Sequence, residues 1–334
     1  MLNKTQEEIT VKWKSMDTEH PLVSIKCLAF NQEKYIAQTL DGFLMQETDF
    51  PFEVIVHDDA STDKTADILR EYEKKYPLIV KPVYQTENQY SKRDGSLTRA
   101  SNAPLKGKYV ATCEGDDYWT NPHKLQMQAD FLESHDDYFA IGHNVRIVDD
   151  NGNAMTQDNP IWRKWFDTYT NMEDRDYSIH DLEEGIMFGQ TCTRMYRNIV
   201  QKMDADLEKK YFAMDYTNGD VLISLLCFCK GKVRCSSLVA ADHRKSIIND
   251  SWTAKTFKKN MTRRDILSLL EQEDFANSFG IYPDFTDQQY RHVRRSFLHF
   301  KQSKSWSDFS IFIGNLRIIR HKIKFFKRLF RLVK

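Results

Sequence analysis

The sequence lacks several signatures that would place it in a class at once. No apolar stretch reaches the roughly 18 residues of a membrane-spanning helix. The first twenty residues are too polar and charged for a secretory signal. No C-x-x-C pair occurs, which argues against a zinc site. No glycine-rich phosphate loop stands near the amino terminus, which counts against a nicotinamide oxidoreductase and against nucleotidyl transfer. Neither charge is in excess: 48 lysines and arginines balance 48 aspartates and glutamates, so nothing in the total suggests wholesale nucleic-acid binding. No internal repeat and no low-complexity linker divides the chain. The six cysteines, Cys27, Cys113, Cys192, Cys227, Cys229 and Cys235, sit mostly inside apolar runs, which fits free buried thiols in a reducing cytosol.

The chain does contain an alternation of strand and helix. Pro21 opens a β-like run over Leu22–Phe30, and Lys34–Gln46 then carries Ile36, Leu40, Phe43 and Leu44 at helical spacing. A short strand, Phe52–His57, runs into Asp58-Asp59, and Ser61, Thr62 and Asp63 are candidate caps for a helix over Lys64–Tyr76. Strands are expected at Leu78–Tyr84 and Lys108–Cys113, with Thr86–Ala103 irregular and then helical between them. A helix over Pro122–Glu133, a fifth strand at Tyr138–Val145 and a hairpin turn at Asp149–Asn153 follow. Further on, Phe188–Tyr196 and Val233–Ala240 read as strands. Val200–Lys210 and Asp220–Cys229 read as helices, and charged helices broken at Gly280–Pro283 fill Thr253–Phe300. Such alternation predicts an α/β chain with a mostly parallel sheet and helices on both faces.

The fourth strand ends in Glu114-Gly115-Asp116-Asp117, three acids within four residues. Carboxylates so close repel one another, and a hard divalent cation with a diphosphate beyond it would neutralise them. A solvated acidic turn is the plain alternative. Two of the first four strands end in paired aspartates, and a parallel sheet brings both ends to one rim, where open α/β sheets bind ligands.

Several segments carry a more specific signal, in order along the chain. They are Val23-Ser24-Ile25, Phe30-Asn31, Tyr35-Ile36, Gln46, Phe52–Val56, Asp58–Thr65, Glu87-Asn88, Arg99, Gly107–Val110, Glu114–Trp119, and Pro122 with Lys124-Leu125-Gln126. Together they resemble a family-2 glycosyltransferase of the GT-A fold, bacterial surface-polysaccharide type, over roughly residues 22–145. The likeness weakens beyond 190 and is absent from the last third. The resemblance implies an inverting transferase that moves a sugar from a nucleotide-diphosphate donor, a UDP-sugar, to a hydroxyl of a glycan or lipid-linked acceptor, with Mn²⁺ or Mg²⁺. By position, Asp117 holds the metal and Asp116 contacts ribose or assists the metal. Glu114 stands where many relatives have Asp. Asp59, with Asp58 beside it, matches the base site, where a carboxylate accepts the uracil imide. Phe30 stands where relatives often have a stacking Tyr; its alternative is core packing. Arg99 meets the diphosphate, locks the motif loop, or is merely solvated.

Inverting transfer needs a general base. Asp220, ahead of an apolar helix, matches that position best, with Asp215 as runner-up; capping the helix is the alternative for Asp220. His243 stands near a Tyr-Arg-x-His element of the relatives, as a metal or diphosphate contact or as a structural histidine. Trp162 and Trp165 are candidate acceptor stackers or parts of a small satellite core. From Phe309 to Lys334 there is no acid and there are eight basic residues among apolar ones, which suits an amphipathic helix on an anionic membrane surface; docking on the protein or a dimer contact competes. The expected organisation is a polar leader over 1–20, a catalytic domain over 21–245 (nucleotide-sugar half 21–150, acceptor half 151–245), a helical extension over 246–305 and a basic tail over 306–334. The expectation is a cytoplasmic enzyme, peripheral on the inner face of the membrane, with no nucleic-acid partner. A nucleotidyltransferase and a non-catalytic scaffold of the same fold are the competing readings.

Overall fold

The computed structural model describes residues 4–156, 163–199, 203–245 and 261–319. They divide into two compact units. The first comprises 1–177, 188–205 and 230–245, and the second 178–187, 206–229 and 246–334.

The first unit is built on a mixed sheet. Its strands are β1 (Val23–Ala29), β2 (Phe52–Asp58), β3 (Val80–Tyr84), β4 (Tyr109–Glu114), β5 (Tyr118–Trp119), β6 (Tyr138–Val148), β7 (Arg175–Tyr177), β8 (Met195–Arg197) and β9 (Lys232–Arg244). Their order is β3-β2-β1-β4-β8-β6-β9-β5, with β7 added on β9. Strands β1 to β4 pair in parallel. Every residue of β2 is buried, as expected of a strand covered on both faces. The chain steps outward from β1 to β2 to β3, then returns to place β4 on the other side of β1. With right-handed crossovers, the helices Ile36–Leu44 and Thr65–Lys75 cover one face and Ser96–Asn102 the other. The reversal makes the carboxyl ends of β1 and β4 the switch point of the sheet, where ligands bind in such folds.

The sheet departs from the expected parallel pattern on its far side. Strands β6 and β9 are parallel, but β8, β5 and β7 run antiparallel to their neighbours. The strand expected over Phe188–Tyr196 contracts to Met195–Arg197, because Thr191–Thr193 forms a 3₁₀ turn. Gly142 of β6 lies against the preceding segment so closely that a Cβ there would stand 1.9 Å from the Phe188 carbonyl oxygen. Strands β5 and β7, two and three residues long, are too short to show a period in the sequence.

The amino-terminal segment is not a bare polar leader. Thr5 and Glu8 form a capping box on the helix Gln6–Thr10. Beyond it, Trp13 is buried edge-on against Phe52, with ring centroids 5.6 Å apart, and its indole N–H donates to Thr48 Oγ1 at 3.1 Å.

In the second unit, residues 206–229, expected in the acceptor half of the catalytic domain, cluster with the carboxyl-terminal helices. Glu271 accepts the backbone N–H groups of Asp215 and Tyr216, at 2.9 and 3.0 Å, and the Thr217 hydroxyl at 2.9 Å. The helices Thr262–Asn277, Thr286–Ser303 and Trp306–Ile318 close around Ile266, Val293 and Ile319, with Leu270, Tyr290, Phe312, Leu316 and Ile318 against them. Buried Asn315 donates to Thr262 Oγ1 at 3.0 Å. This corrects the expectation of a free amphipathic tail for its first half: those apolar side chains pack on the neighbouring helices. Residues 320–334 and Trp162 lie outside the described residues, as does the side chain of Trp165. Among the described residues no helix is long and apolar enough to cross a membrane.

Candidate active site

The acidic triplet sits where β4 ends at the switch point, in the turn leading to β5. The turn is held from below. Thr39 Oγ1 donates to the carbonyls of Gly115 and Asp117, at 3.0 and 2.6 Å, and the Gly115 N–H donates to Leu28 at 2.9 Å. A Cβ on Gly115 would stand 2.2 Å from Gln32 Oε1, so a larger residue there would displace that side chain.

Antiparallel pairing of β5 with β9 sets Tyr118 opposite Asp242 and Trp119 opposite Ala241. That register carries the next two residues of β9 to the triplet. His243 Nδ1 lies 2.8 Å from Asp117 Oδ2, and the Arg244 N–H donates to Asp117 Oδ1 at 2.8 Å. The Arg244 guanidinium is buried. It donates to the Asp116 carbonyl and, at 2.8 Å, to Gln38 Oε1, and it lies over the rings of Tyr35 and Tyr118, at 4.3 and 5.2 Å. Asp117 is therefore fully buried yet oriented by two donors, which its desolvation requires.

The carboxylates of Glu114, Asp116 and Asp117 present oxygens within 4.8 Å of one another, and Asp117, His243 and Cys192 form an overlapping set. Burial, then the charge of Asp117, pushes the Asp116 carboxyl up to about 6. Burial, then Asp117, also pushes the Cys192 thiol well up, so at neutral pH sulfur is present as a thiol rather than as a thiolate ligand. The arrangement is carboxylate-rich and crowded. Hard oxygen donors of this kind fit a divalent cation such as Mg²⁺ or Mn²⁺.

The exits of β1 and β2 form the neighbouring stretch of the rim. Phe30 is 46% exposed, so it is not a core residue. Asn31 adopts a left-handed φ of 54°; its N–H donates to Ser61 Oγ at 2.9 Å, and its side chain accepts from the Thr62 N–H at 2.8 Å. The Asp59 N–H donates to the Ala29 carbonyl at 2.9 Å, which puts this acid beside Phe30 along the rim. Both Asp59 oxygens hold the following loop: Oδ1 accepts the Gln89 N–H at 2.6 Å and Oδ2 the Tyr90 N–H at 3.0 Å. Each oxygen keeps a further lone pair. Asp58 is also buried, and its Oδ1 accepts the Ser61 N–H at 3.3 Å.

Residues 24–200, just over half of the 334, match the family model described as "Glycosyl transferase family 2". The chain belongs to this family. An uncharacterised protein of Mycobacterium tuberculosis is 40% identical over 145 residues, which are 42% of this chain and 40% of that protein. The Staphylococcus aureus poly(ribitol-phosphate) β-N-acetylglucosaminyltransferase TarS is 36% identical over 112 residues, 32% of this chain and 18% of TarS. The chain spans about 40% of the length of the first of these relatives. The crystal structure of TarS residues 1–349 in complex with UDP-GlcNAc superposes with a TM-score of 0.57 at 18% identity, covering 88% of this chain and 79% of TarS 1–349. At that identity the likeness establishes the fold, a GT-A-like α/β sheet with a helical carboxyl-terminal region.

Within this member of glycosyl transferase family 2, the structure brings Glu114, Asp116, Asp117 and His243 together, with Phe30, Asp58 and Asp59 on the adjoining rim. Arg99 is exposed, and its Nη2 turns back to the Asp94 carbonyl at 2.6 Å. Asp220 and Asp215 belong to the second unit. Asp220 is the second residue of the helix Gly219–Lys230, and its Oδ1 accepts the Val221 N–H at 2.9 Å; Asp215 is exposed. Sequence reasoning missed the contributions of Thr39, Cys192 and Arg244. Arg244 had a signal, its place directly after His243 at the end of a strand. Cys192 and Thr39 had none, because each reaches the triplet only through tertiary packing.

Proposed function

We propose that the chain is an inverting, metal-assisted glycosyltransferase that moves a sugar from a UDP-sugar to a hydroxyl of a glycan or lipid-linked acceptor, working at an anionic membrane surface on the cytoplasmic side. The carrying observation is the convergence of three carboxylates, within 4.8 Å, at the switch point of the sheet. The names of the relatives support the substrate class: TarS is a poly(ribitol-phosphate) β-N-acetylglucosaminyltransferase, and its structure was obtained with UDP-GlcNAc.

In this reading Asp117 and Asp116 hold the cation, with Glu114 and His243 at its margin. When bound, Mn²⁺ or Mg²⁺ neutralises charge on the departing diphosphate. The chain supplies the rest. His243 and the Arg244 N–H orient the Asp117 carboxylate, and the Arg244 side chain steadies the Asp116 backbone. Phe30 offers its exposed ring to the base, and Asp59, with Asp58 beside it, accepts the uracil imide through its remaining lone pairs. Arg99 approaches the diphosphate. Asp220 takes the proton from the acceptor hydroxyl as the sugar transfers, with Asp215 the second choice.

The test is a calorimetric titration of UDP with and without Mn²⁺. Binding is expected only with the ion, and Asp117→Asn is expected to abolish it. Equal binding in chelator, or by Asp117→Asn, overturns the metal–diphosphate assignment. A panel of sugar nucleotides screened for metal-dependent hydrolysis then identifies the sugar.

A further inference from the structure

The second unit carries a basic surface outside the residues assigned above to sugar transfer. Between Asp287 and Asp308 the sequence contains no acid, but it places Arg291, Arg294, Arg295, Lys301 and Lys304 there, in a chain whose net charge is zero. All five are exposed. Arg291 comes no closer than 4.0 Å to a carboxylate, that of Glu184. Among the described residues Arg294, Arg295, Lys301 and Lys304 have no acidic partner.

In the sequence, exposed apolar side chains alternate with these cations. Phe297, Leu298 and Trp306 are 43%, 51% and 83% exposed. Spacings of three and four put Arg291, Arg294, Arg295, Leu298 and Lys301 on one face of the helix Thr286–Ser303. Along its seam with the helix Trp306–Ile318, aromatic rings follow one another: Phe297 on Phe312 at 5.2 Å, Phe300 on Phe309 at 5.0 Å, and Trp306 on Phe309 at 5.6 Å. The seam ends in the most exposed large apolar side chain of the described residues.

We propose that this face, centred on Leu298, Arg294 and Arg295, together with Trp306 at the end of the adjoining aromatic seam, docks the enzyme on an anionic lipid bilayer. The cations rest on headgroup phosphates while Trp306, Leu298 and Phe297 enter the interface. The charge pattern alone would also suit a soluble polyanion. A polyanion, however, leaves three large apolar side chains in water, whereas the bilayer interface accepts both kinds of group. The inference rests on the membrane part of the proposed function and moves its location, because Phe312, Leu316, Ile318 and Ile319 are already occupied within the helix cluster.

The test is co-sedimentation of the full chain with vesicles of phosphatidylcholine, alone or mixed with phosphatidylglycerol. Wild type is expected to bind the mixed vesicles. Arg294→Gln with Arg295→Gln is expected to weaken binding roughly thirtyfold, and Leu298→Ser with Trp306→Ser roughly a hundredfold. Arg294→Lys with Arg295→Lys keeps the charge and should bind like wild type. All variants should retain Mn²⁺-dependent UDP binding if wild type has it, which separates this surface from the sugar-nucleotide reading. A further variant changes Lys322, Lys324, Lys327 and Arg328 to Gln. If it alone loses binding, the membrane reading survives and this surface is refuted. Loss with the arginine pair but none with Leu298 and Trp306 makes the face a polyanion site, which also refutes the proposal. Failure of wild type to bind mixed vesicles refutes both.

Discussion

Replacing Arg244 with glutamine probes how the acidic turn is held. The side chain donates a charge-assisted hydrogen bond to the Asp116 carbonyl and another to Gln38, while lying over Tyr35 and Tyr118. Hydrogen bonds to charged groups contribute about 1.5–3 kcal/mol each. A buried cation over an aromatic ring adds about 2 kcal/mol. These contributions overlap, and glutamine keeps one donor, so the expected local loss is about 3 kcal/mol. The backbone N–H from residue 244 to Asp117 remains, because it does not depend on the side chain. The loss should therefore concentrate in residues 115–118. Amide hydrogen exchange reads it directly, as faster exchange of the N–H groups of Gly115 and Asp117, which bond to Leu28 and Glu114. Arg244→Lys cannot reproduce the two-pronged contact or the stacked plane and should recover less than half of the protection. Unchanged exchange in Arg244→Gln would falsify the idea that this guanidinium positions the triplet.

Gly142→Ala is expected to lose the native fold of the first unit, because the new Cβ meets the Phe188 carbonyl oxygen at 1.9 Å and backbone cannot move aside as a side-chain end can; circular dichroism and solubility at expression check it. Lys124 is fully buried over Trp119 at 4.0 Å and bonded to Gln128, and desolvation pulls its ammonium down to about 7. Its folded pKa lies below the unfolded one, so the unfolded chain binds more protons from about pH 7 to about 10.5 and stability rises across that window. Lys124→Met should flatten the rise, so that its urea midpoint relative to wild type is most favourable at pH 7 and declines toward pH 10. A difference independent of pH refutes the assignment.

The readable part of the site was the part with local chemistry. Three acids at the end of an apolar run, and an aspartate pair at the end of another, need only the two-residue period of strands and the parallel crossover rule to be placed on one rim. The helices Ile36–Leu44 and Thr65–Lys75 were legible for the same reason, since their apolar spacing is set by their own turns. Two readings gave way. Residues 1–20 read as a polar leader, yet Ile9 and Trp13 within them are buried. The stretch 309–319 looked like a membrane stripe, yet its apolar residues complete a helix cluster. Amphipathic pattern records that a helix has an apolar side, not what covers it.

The sequence by itself determined the alternation of strand and helix, the parallel rim it implies and the acids that stand there, because each depends on contacts short in sequence or on a chain-crossing rule; the strand order that makes this rim a switch point came from the structure. Only the tertiary structure decided what surrounds those acids. Arg244 reaches Asp116 across 128 residues, and Cys192 joins Asp117 across 75, through the antiparallel register of β5 with β9 and the close approach allowed by Gly142. A two-residue strand has no period to announce its register. The partners of a buried carboxylate are chosen by the need to satisfy it after the chain has folded, and that need leaves no pattern in the order of the residues.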